Sequence, residues 1–232
     1  LFERKITPHV TVLFFDFRCN LHESLLRSFR RLGDNPPWLT KIVDELFYSK
    51  IYEETPVLIT ELANGGDLQT FLRERKFTLL EWRVMLFQIF HMLAVAQYHL
   101  PGFRHNDLKP NNILVNTYEK TPNHYFVYKM FGKKYYIPDI GITLKLWDFD
   151  FSVSHDIFNN RLHYKKYQEF GYGREFHPVY DVHSFFNYLY MFNKPDLHRD
   201  IKRFIERILP PPLRGKDAKY TRHYRLTYYK VS

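Results

Sequence analysis

One short stretch of this sequence gathers a carboxylate, a lysine and an amide. Asp107 is followed closely by Lys109 and then by Asn112, within the segment His105 to Asn112. Phosphoryl transfer needs such groups together: a carboxylate that orients the attacking hydroxyl and accepts its proton, a cation beside the moving phosphoryl group, and an oxygen ligand for Mg²⁺. The segment therefore predicts a loop that supports phosphoryl transfer.

A second carboxylate, Asp148, directly follows the short apolar stretch Leu144 to Trp147. A carboxylate at the end of a strand is well placed to hold a metal ion that bridges phosphates. Asp148 is far from Asp107 in the sequence, so only the fold can bring the two together. We expect both to reach one pocket.

The elements that would position these groups are strands first and large helices later. Val10 to Phe17 is a β-branched and aromatic run that predicts a buried strand, and Pro56 to Leu62 predicts a second one. Thr78 to His99 predicts a long helix, apolar over much of its girth, with a T-x-x-E capping box at Thr78 and Glu81. This order predicts an α+β chain in two layers or lobes.

Shorter elements complete the prediction, and the tail after residue 213 has no clear period. They are a helix over Asp67 to Glu74 capped by Asp67, short strands at Ile113 to Val115 and Leu144 to Trp147, a β-hairpin over Tyr125 to Tyr136, and helices over Asp181 to Phe192 and Asp200 to Leu209.

The composition bounds the class of protein. Hydrophobic residues make up 45% and charged residues 25%, which is typical of a globular protein and excludes a disordered one. The formal net charge of +9 favours anionic partners such as nucleotides, acidic proteins or nucleic acid. The single cysteine, Cys19, excludes an internal disulfide and favours a reducing, cytoplasmic compartment. We see no apolar run near the ~20 residues that span a bilayer, so no membrane span is expected.

The motifs together resemble the catalytic part of eukaryotic-type protein kinases. His105 to Asn112 is similar to the kinase catalytic loop H-R-D-L-K-P-x-N, and Asp148-Phe149-Asp150 looks like the D-F-G element with its last residue changed. Pro56 to Leu68 resembles the kinase strand and hinge, and Asp181 looks like the aspartate that braces the catalytic loop. The details resemble divergent kinases of large cytoplasmic DNA viruses, which implies host cytoplasm or virion as the location.

This resemblance implies roles for individual residues, with ATP and Mg²⁺ as cofactors and a protein hydroxyl as acceptor. Asp107 would be the catalytic base and Lys109 would steady the γ-phosphate; a lysine there resembles the Ser/Thr class of kinase. The expected Mg²⁺ ligands are Asn112 and Asp148. The expected ATP contacts are Thr60 at the back of the pocket, backbone groups of Glu61 and Ala63 at adenine, Asp67 at the ribose, and Leu114 in the adenine floor.

The same resemblance implies a kinase-like fold, mostly the helical C-lobe with a truncated β-rich N-lobe. Residues 1–62 would form a partial N-lobe and hinge strand. Residues 63–232 would form the C-lobe, with a hairpin insertion at about 116–143 and a basic tail.

Departures from the kinase pattern leave two other functions open. Asn106 replaces the loop arginine and Asp150 replaces the glycine, and the chain has neither a G-x-G-x-x-G loop nor a V-A-I-K lysine. A pseudokinase scaffold without catalysis is therefore one alternative. The other is a basic nucleic-acid-binding module, since basic residues alternate with tyrosines in the tail; they are Lys216, Lys219, Arg222 and Arg225.

Overall fold

The structure, a computed structural model of the chain, describes residues 7–19, 55–154, 176–193 and 196–227. The chain divides into two compact units. One unit comprises Val12–Leu62, and the other comprises Leu1–Thr11 together with Ala63–Ser232. The described residues contain both helices and antiparallel sheets, as an α+β chain requires.

The unit of Val12–Leu62 contains an antiparallel pair of strands. Strand β1 (Leu13–Cys19) pairs with β2 (Thr55–Thr60), with Phe17 opposite Val57. Both strands were predicted, but the expectation that β1 is buried is wrong, since Phe15 is 69% exposed. A two-stranded sheet cannot by itself enclose side chains on either face.

Helices of the other unit begin at the caps that the sequence predicted. Helix α1 (Leu68–Glu74) is capped by Asp67, whose side chain accepts from the Thr70 amide. Helix α2 (Leu79–His99) begins with the complete capping box of Thr78 and Glu81. Two further helices, α3 (Tyr180–Asn193) and α4 (Arg199–Ile208), lie close to their predicted bounds.

Helix α2 bears on the expectation that the chain has no apolar run near the length of a membrane span. Its 21 residues are long and apolar enough to cross a membrane by length and composition alone. In the structure 61% of its most apolar window is buried, and Met85, Ile89 and Leu93 belong to the hydrophobic core. A helix that is apolar on most sides is also what the centre of a folded domain requires.

A two-stranded sheet packs on α2 and positions both Asn112, which precedes its first strand, and Asp148, which follows its second. Strand β3 (Ile113–Thr117) pairs antiparallel with β6 (Ile142–Leu146), and Ile113 lies opposite Leu146. Residues 9–11 run beside β6, and the Leu146 amide donates a hydrogen bond to the His9 carbonyl at 2.9 Å. The Gln88 side chain of α2 bonds the backbone of β6 at Ile142 and Leu144.

Two β-hairpins complete the described residues. The predicted one is present as β4 (Tyr125–Met130) and β5 (Lys133–Pro138). The second was not predicted: β7 (Thr221–Arg222) pairs with β8 (Arg225–Leu226) in the tail, where the sequence has no clear period.

Candidate active site

One buried carboxylate bonds the backbone of the candidate catalytic loop, His105 to Asn112. Asp181, at the start of α3 and 1% exposed, accepts hydrogen bonds from the amides of His105 at 2.7 Å and Asn106 at 2.9 Å. Burial raises the pKa of Asp181, although the charges and amides of the loop act against the shift. The brace predicted from the sequence is therefore present.

Asn106 adopts a backbone conformation that few side chains tolerate. Its φ is 65°, in the left-handed region where asparagine is enriched. Its side-chain amide donates to the Phe151 carbonyl at 2.8 Å, which ties the loop to the segment after Asp148. Asparagine thus suits the position at which the kinase pattern has arginine.

Asp107 lies at the centre of the site, 5% exposed, and both of its carboxylate oxygens are bonded. Lys109 Nζ donates to Oδ2 at 2.8 Å, and Asn112 Nδ2 donates to the same oxygen at 3.0 Å. Arg225 forms an ion pair with Oδ1 from strand β8. The structure therefore joins three residues predicted from the sequence to one that was not.

The charges around Asp107 keep it ionised. Burial alone would raise the pKa of this carboxyl, but the neighbouring Arg225 and Lys109 lower it below its ordinary value. Arg225 is itself 7% exposed, and its pKa is raised by nearby Tyr188 and Asp107 against the effect of burial. Asp107 is therefore a carboxylate at neutral pH.

Asn112 and Asp148 lie at the same end of the β3–β6 pair. Asn112 immediately precedes β3 and Asp148 closely follows β6, and these strands are antiparallel. A hydrogen bond of 3.1 Å from the Trp147 amide to the Asn112 carbonyl joins the two chain segments there. Asp148 has a φ of 61°, a strained conformation of the kind that clusters at functional sites.

The residues around Asp148 pack against the loop histidine. His105 Nε2 lies 2.8 Å from the Trp147 carbonyl, and the His105 ring is 5.5 Å from that of Phe149. Among the described residues Asp150 is not one of those with positive φ. Aspartate in place of glycine therefore imposes no left-handed strain at that position.

The residues predicted to hold ATP fall into two groups. Thr60 and Glu61 belong to the unit of Val12–Leu62, where the Glu61 amide donates to the Val12 carbonyl at 3.0 Å. Ala63, Asp67 and Leu114 belong to the other unit.

Asp67 and Leu114 are brought together by a glycine turn. The two residues form an antiparallel bridge, and the Gly65 amide donates to the Val115 carbonyl at 2.8 Å. A Cβ at Gly65 would come within 2.9 Å of that carbonyl, so the close approach requires glycine. The Asp67 carboxylate bonds the amide and hydroxyl of Thr70, so it already has a structural role as a helix cap.

Sequence reasoning missed the contribution of the C-terminal segment. A cavity beside Asp107 has walls from the catalytic loop, from α3 and from the β7–β8 hairpin; its lining residues are Asn106, Asp107, Lys109, Phe151, Tyr188, His223, Tyr224 and Arg225. The only signal for these tail residues was the alternation of basic and aromatic side chains. That alternation was interpreted as a surface for nucleic acid, whereas Arg225 contacts Asp107 and Tyr224 packs against Tyr188 and Phe192.

Comparison with known proteins shows that the chain is similar to serine/threonine protein kinases. Residues 17–211 match the family described as poxvirus serine/threonine protein kinase. A candidate serine/threonine-protein kinase of Acanthamoeba polyphaga mimivirus, R400, is 31% identical over 229 residues, which cover 91% of this chain and 48% of that protein.

Shorter matches include a second candidate kinase of the same virus, R301. It is 43% identical over 70 residues, or 30% of this chain and 18% of that protein. The serine/threonine-protein kinase unc-51 of Caenorhabditis elegans is 34% identical over 102 residues, or 43% of this chain and 10% of that protein. The chain thus spans about half the length of R400 and less of the others. Because the family match covers well over half of the chain, this chain belongs to the poxvirus serine/threonine protein kinase family.

Proposed function

We propose that this chain carries the catalytic site of a serine/threonine protein kinase, which transfers the γ-phosphate of ATP to a hydroxyl group of a protein substrate. The observation that carries the proposal is the contact of Lys109 and Asn112 with the buried carboxylate of Asp107. Family membership and the names of the relatives support the same activity.

In this proposal Asp107 orients the substrate hydroxyl and accepts its proton. Its lowered pKa keeps it deprotonated at neutral pH, and its hydrogen bonds fix the direction of the carboxylate. Lys109 supplies positive charge beside the transferred phosphoryl group, where negative charge is spread over the oxygens in the transition state.

The side chains of Asn112 and Asp148 fit a magnesium ion. Amide and carboxylate oxygens are the hard ligands that Mg²⁺ prefers, and it is commonly held by one or two carboxylates together with substrate phosphates. The two bonds that Asn112 Nδ2 makes to Asp107 direct the other amide atom, the oxygen Oδ1, away from that carboxylate. Bound Mg²⁺ would neutralise charge on the phosphates of ATP.

The remaining roles stay predictions from the kinase resemblance. They are the contacts of Thr60, Glu61, Ala63, Asp67 and Leu114 with the adenosine of ATP, and the division into a partial N-lobe (1–62) and a C-lobe (63–232). For nucleic acid as a partner the comparisons offer no support.

The proposal is tested with Asp107→Asn and Asp148→Asn in the full-length protein, assayed by labelled phosphate transfer to a protein substrate. We expect Asp107→Asn to lower transfer at least about 100-fold, because general-base catalysis contributes that much or more. Mg-ATP should still raise the melting temperature of the Asp107→Asn variant. Asp148→Asn should lose both transfer and the Mg²⁺-dependent part of the stabilisation.

The matched control is Asp196→Asn, the same change at an exposed residue between α3 and α4, which should leave transfer unaltered. Unchanged turnover in either active-site variant would contradict the proposal. If the unsubstituted protein were stabilised by Mg-ATP and yet transferred no phosphate, it would be a scaffold instead of an enzyme.

A further inference from the structure

The contact between Arg225 and Asp107 occupies an atom that the proposed reaction needs. Lys109 and Asn112 both bond Oδ2 of Asp107, and Arg225 pairs with Oδ1. A carboxylate that accepts a proton from a substrate hydroxyl must direct an oxygen toward it within hydrogen-bonding distance. The Arg225 guanidinium therefore has to share or leave Oδ1 when the hydroxyl arrives.

Several bonds from α3 hold Arg225 in this position. The Asn187 side chain donates to the carbonyls of Gly215 at 2.9 Å and Tyr224 at 2.8 Å, and accepts from the Gly215 amide at 2.8 Å. The Tyr188 hydroxyl donates to the His223 carbonyl at 3.3 Å. The site of the guanidinium is thus set by buried packing and is not a chance placement of a surface side chain.

The turn before Arg225 is also strained. His223 and Tyr224 have φ of 50° and 67°, and neither is glycine. A side chain is disfavoured in this conformation, because its Cβ comes too close to the following carbonyl oxygen. Strain of this kind persists only where the surroundings hold it, and it is commonly found at ligand clamps and switch regions.

The charges of the residues that line the cavity indicate which kind of group Arg225 would bind. Among the described residues that line it, one is a carboxylate, Asp107, two are fixed cations, Lys109 and Arg225, and one is a histidine, His223. Within this described lining, the single negative charge of Asp107 is shared by both cations. A guanidinium presents several donors in a planar fork that matches a carboxylate or a phosphate, so the cavity favours an anion in addition to Asp107.

We propose, resting on the kinase function above, that Arg225 is a specificity-determining residue. It selects protein substrates that carry a carboxylate or a phosphate group close to the target hydroxyl. The substrate anion takes the place of Asp107 on the Arg225 guanidinium, and this exchange frees Oδ1 to receive the hydroxyl. In the absence of substrate Asp107 serves as the internal anion for Arg225.

The test uses the full-length protein and a set of peptides with one target serine. They differ only at neighbouring positions, which carry glutamate, phosphoserine, alanine or lysine. We expect the peptides with glutamate or phosphoserine to exceed the alanine peptide by about 10- to 100-fold in kcat/KM, as hydrogen bonds to charged groups provide. Comparing the glutamate and phosphoserine peptides identifies which anion is preferred.

Substitution then assigns the preference to Arg225. Arg225→Gln should bring the acidic and alanine peptides to nearly equal kcat/KM, mainly through a higher KM for the acidic ones. Arg225→Lys should retain part of the preference, because it keeps the charge and loses the fork. Arg222→Gln, the same change at an exposed residue of this hairpin that does not line the cavity, should retain all of it.

Three results would overturn this inference alone. The unsubstituted protein could phosphorylate all peptides equally, which tests the proposal even if Arg225→Gln does not fold. Arg225→Gln could raise transfer to every peptide by the same factor, in which case the arginine only blocks the site. It could also lower transfer to every peptide equally, in which case its role is structural. Failure to phosphorylate any peptide or general protein substrate would instead overturn the kinase function, and this inference with it.

Discussion

The two hairpins β4–β5 and β7–β8 share a turn geometry but owe it to different interactions. Each has a two-residue connection in which both residues have positive φ: Phe131 and Gly132 in the first, His223 and Tyr224 in the second. Such turns match the twist of paired strands and normally contain glycine or asparagine. Only β4–β5 follows that rule.

The length of strand pairing differs as well. Hairpin β4–β5 has six pairs of opposed residues, whereas β7–β8 has two. The longer hairpin can offset the cost of its turn by its own ladder. The shorter one depends on bonds from Asn187 and Tyr188 of α3 and on the ion pair with Asp107. A locally unfavourable sequence can therefore be held in a hairpin where buried polar side chains bond its backbone.

A buried polar side chain also helps to hold each hairpin in place. In β4 the Tyr128 hydroxyl lies 2.9 Å from His9 Nε2, and in β8 Arg225 pairs with Asp107. The first anchor is a neutral pair and the second is an ionic one. Substitutions and pH should therefore affect the two hairpins differently.

The largest expected effect comes from Asn187→Ala, which removes three hydrogen bonds that hold the segment containing β7–β8. Asn187 is fully buried, and each such bond contributes about 1 kcal/mol, so we expect a loss of about 3 kcal/mol in the free energy of unfolding. Urea denaturation measures this loss. Hydrogen exchange should show amides of 215–226 exchanging faster, with those of β4–β5 little changed.

Asn64 provides a matched control because it makes a similar set of bonds in an exposed position. Its side chain donates to the Thr117 carbonyl at 2.9 Å and accepts from the Thr117 amide at 2.7 Å. Water can replace these bonds, so Asn64→Ala should cost clearly less than Asn187→Ala. Equal losses would mean that burial does not distinguish the two asparagines and that α3 does not hold the β7–β8 hairpin.

Acidification should loosen the β4–β5 anchor first. His9 Nδ1 lies 2.8 Å from the Leu144 carbonyl, which can only accept, so Nδ1 carries the proton and Nε2 accepts from Tyr128. Burial lowers the pKa of His9 from 6.5 to about 4; the hydrogen bond to the Leu144 carbonyl acts against this shift, and the charges of His91 and Lys145 add to it. The folded state therefore resists the protonation that the unfolded state accepts below pH 6.5.

The sign of the effect follows from the proton count. Between pH 6.5 and pH 4 the unfolded chain binds the proton and the folded chain does not, so stability falls as pH decreases. From pH 7 to pH 5 His9 alone should reduce the free energy of unfolding by about 2 kcal/mol. The Asp107 pair, with a lowered carboxyl pKa, keeps its contribution until the pH falls below the ordinary range of an aspartate.

Urea denaturation at several pH values, with hydrogen exchange of both hairpins, measures this difference. His9→Gln should reduce the pH dependence to the part that remains from His91 and His183, whose pKa values burial also lowers. His99→Gln, at an exposed histidine of α2, should not change it. If the β7–β8 amides lost protection before those of β4–β5 between pH 7 and pH 5, the contrast between a neutral and an ionic anchor would be wrong.

The sequence allowed prediction wherever the signal lies within a few residues. The cap at Asp67, the capping box of Thr78 with Glu81, and the β4–β5 hairpin are local patterns, and the structure confirms them. The types and spacing of Asp107, Lys109 and Asn112 likewise predict a shared site from the sequence alone. The three residues lie within one short loop, so their side chains can reach one another without any distant segment.

Features that depend on distant segments could not be predicted. Arg225 and Asp107 are separated by 118 residues, and the tail offers no glycine turn to indicate a hairpin. Val10 was predicted as part of the first strand, yet it forms a bridge with Leu146, which lies in the same unit as Val10 and not in the unit that contains β1. In each case the residue type indicates the chemical character of the side chain, and tertiary packing determines its partner.

The smallest expected effect concerns the turns themselves. Gly132 has a φ of 73°, and a Cβ there would meet no atom within 4 Å, so Gly132→Ala tests conformational strain without a steric clash. We expect the free energy of unfolding to fall by about 1 kcal/mol, since alanine is disfavoured in the left-handed region.

His223→Gly should raise the free energy of unfolding, because glycine would relieve the strain that His223 bears at a φ of 50°. Urea denaturation of both variants checks this, with stability as the sole readout because His223 also lines the cavity. A neutral Gly132→Ala together with a strongly destabilising His223→Gly would show that the turn residues of β7–β8 contribute by their side chains and that the two turns do not share a common cost.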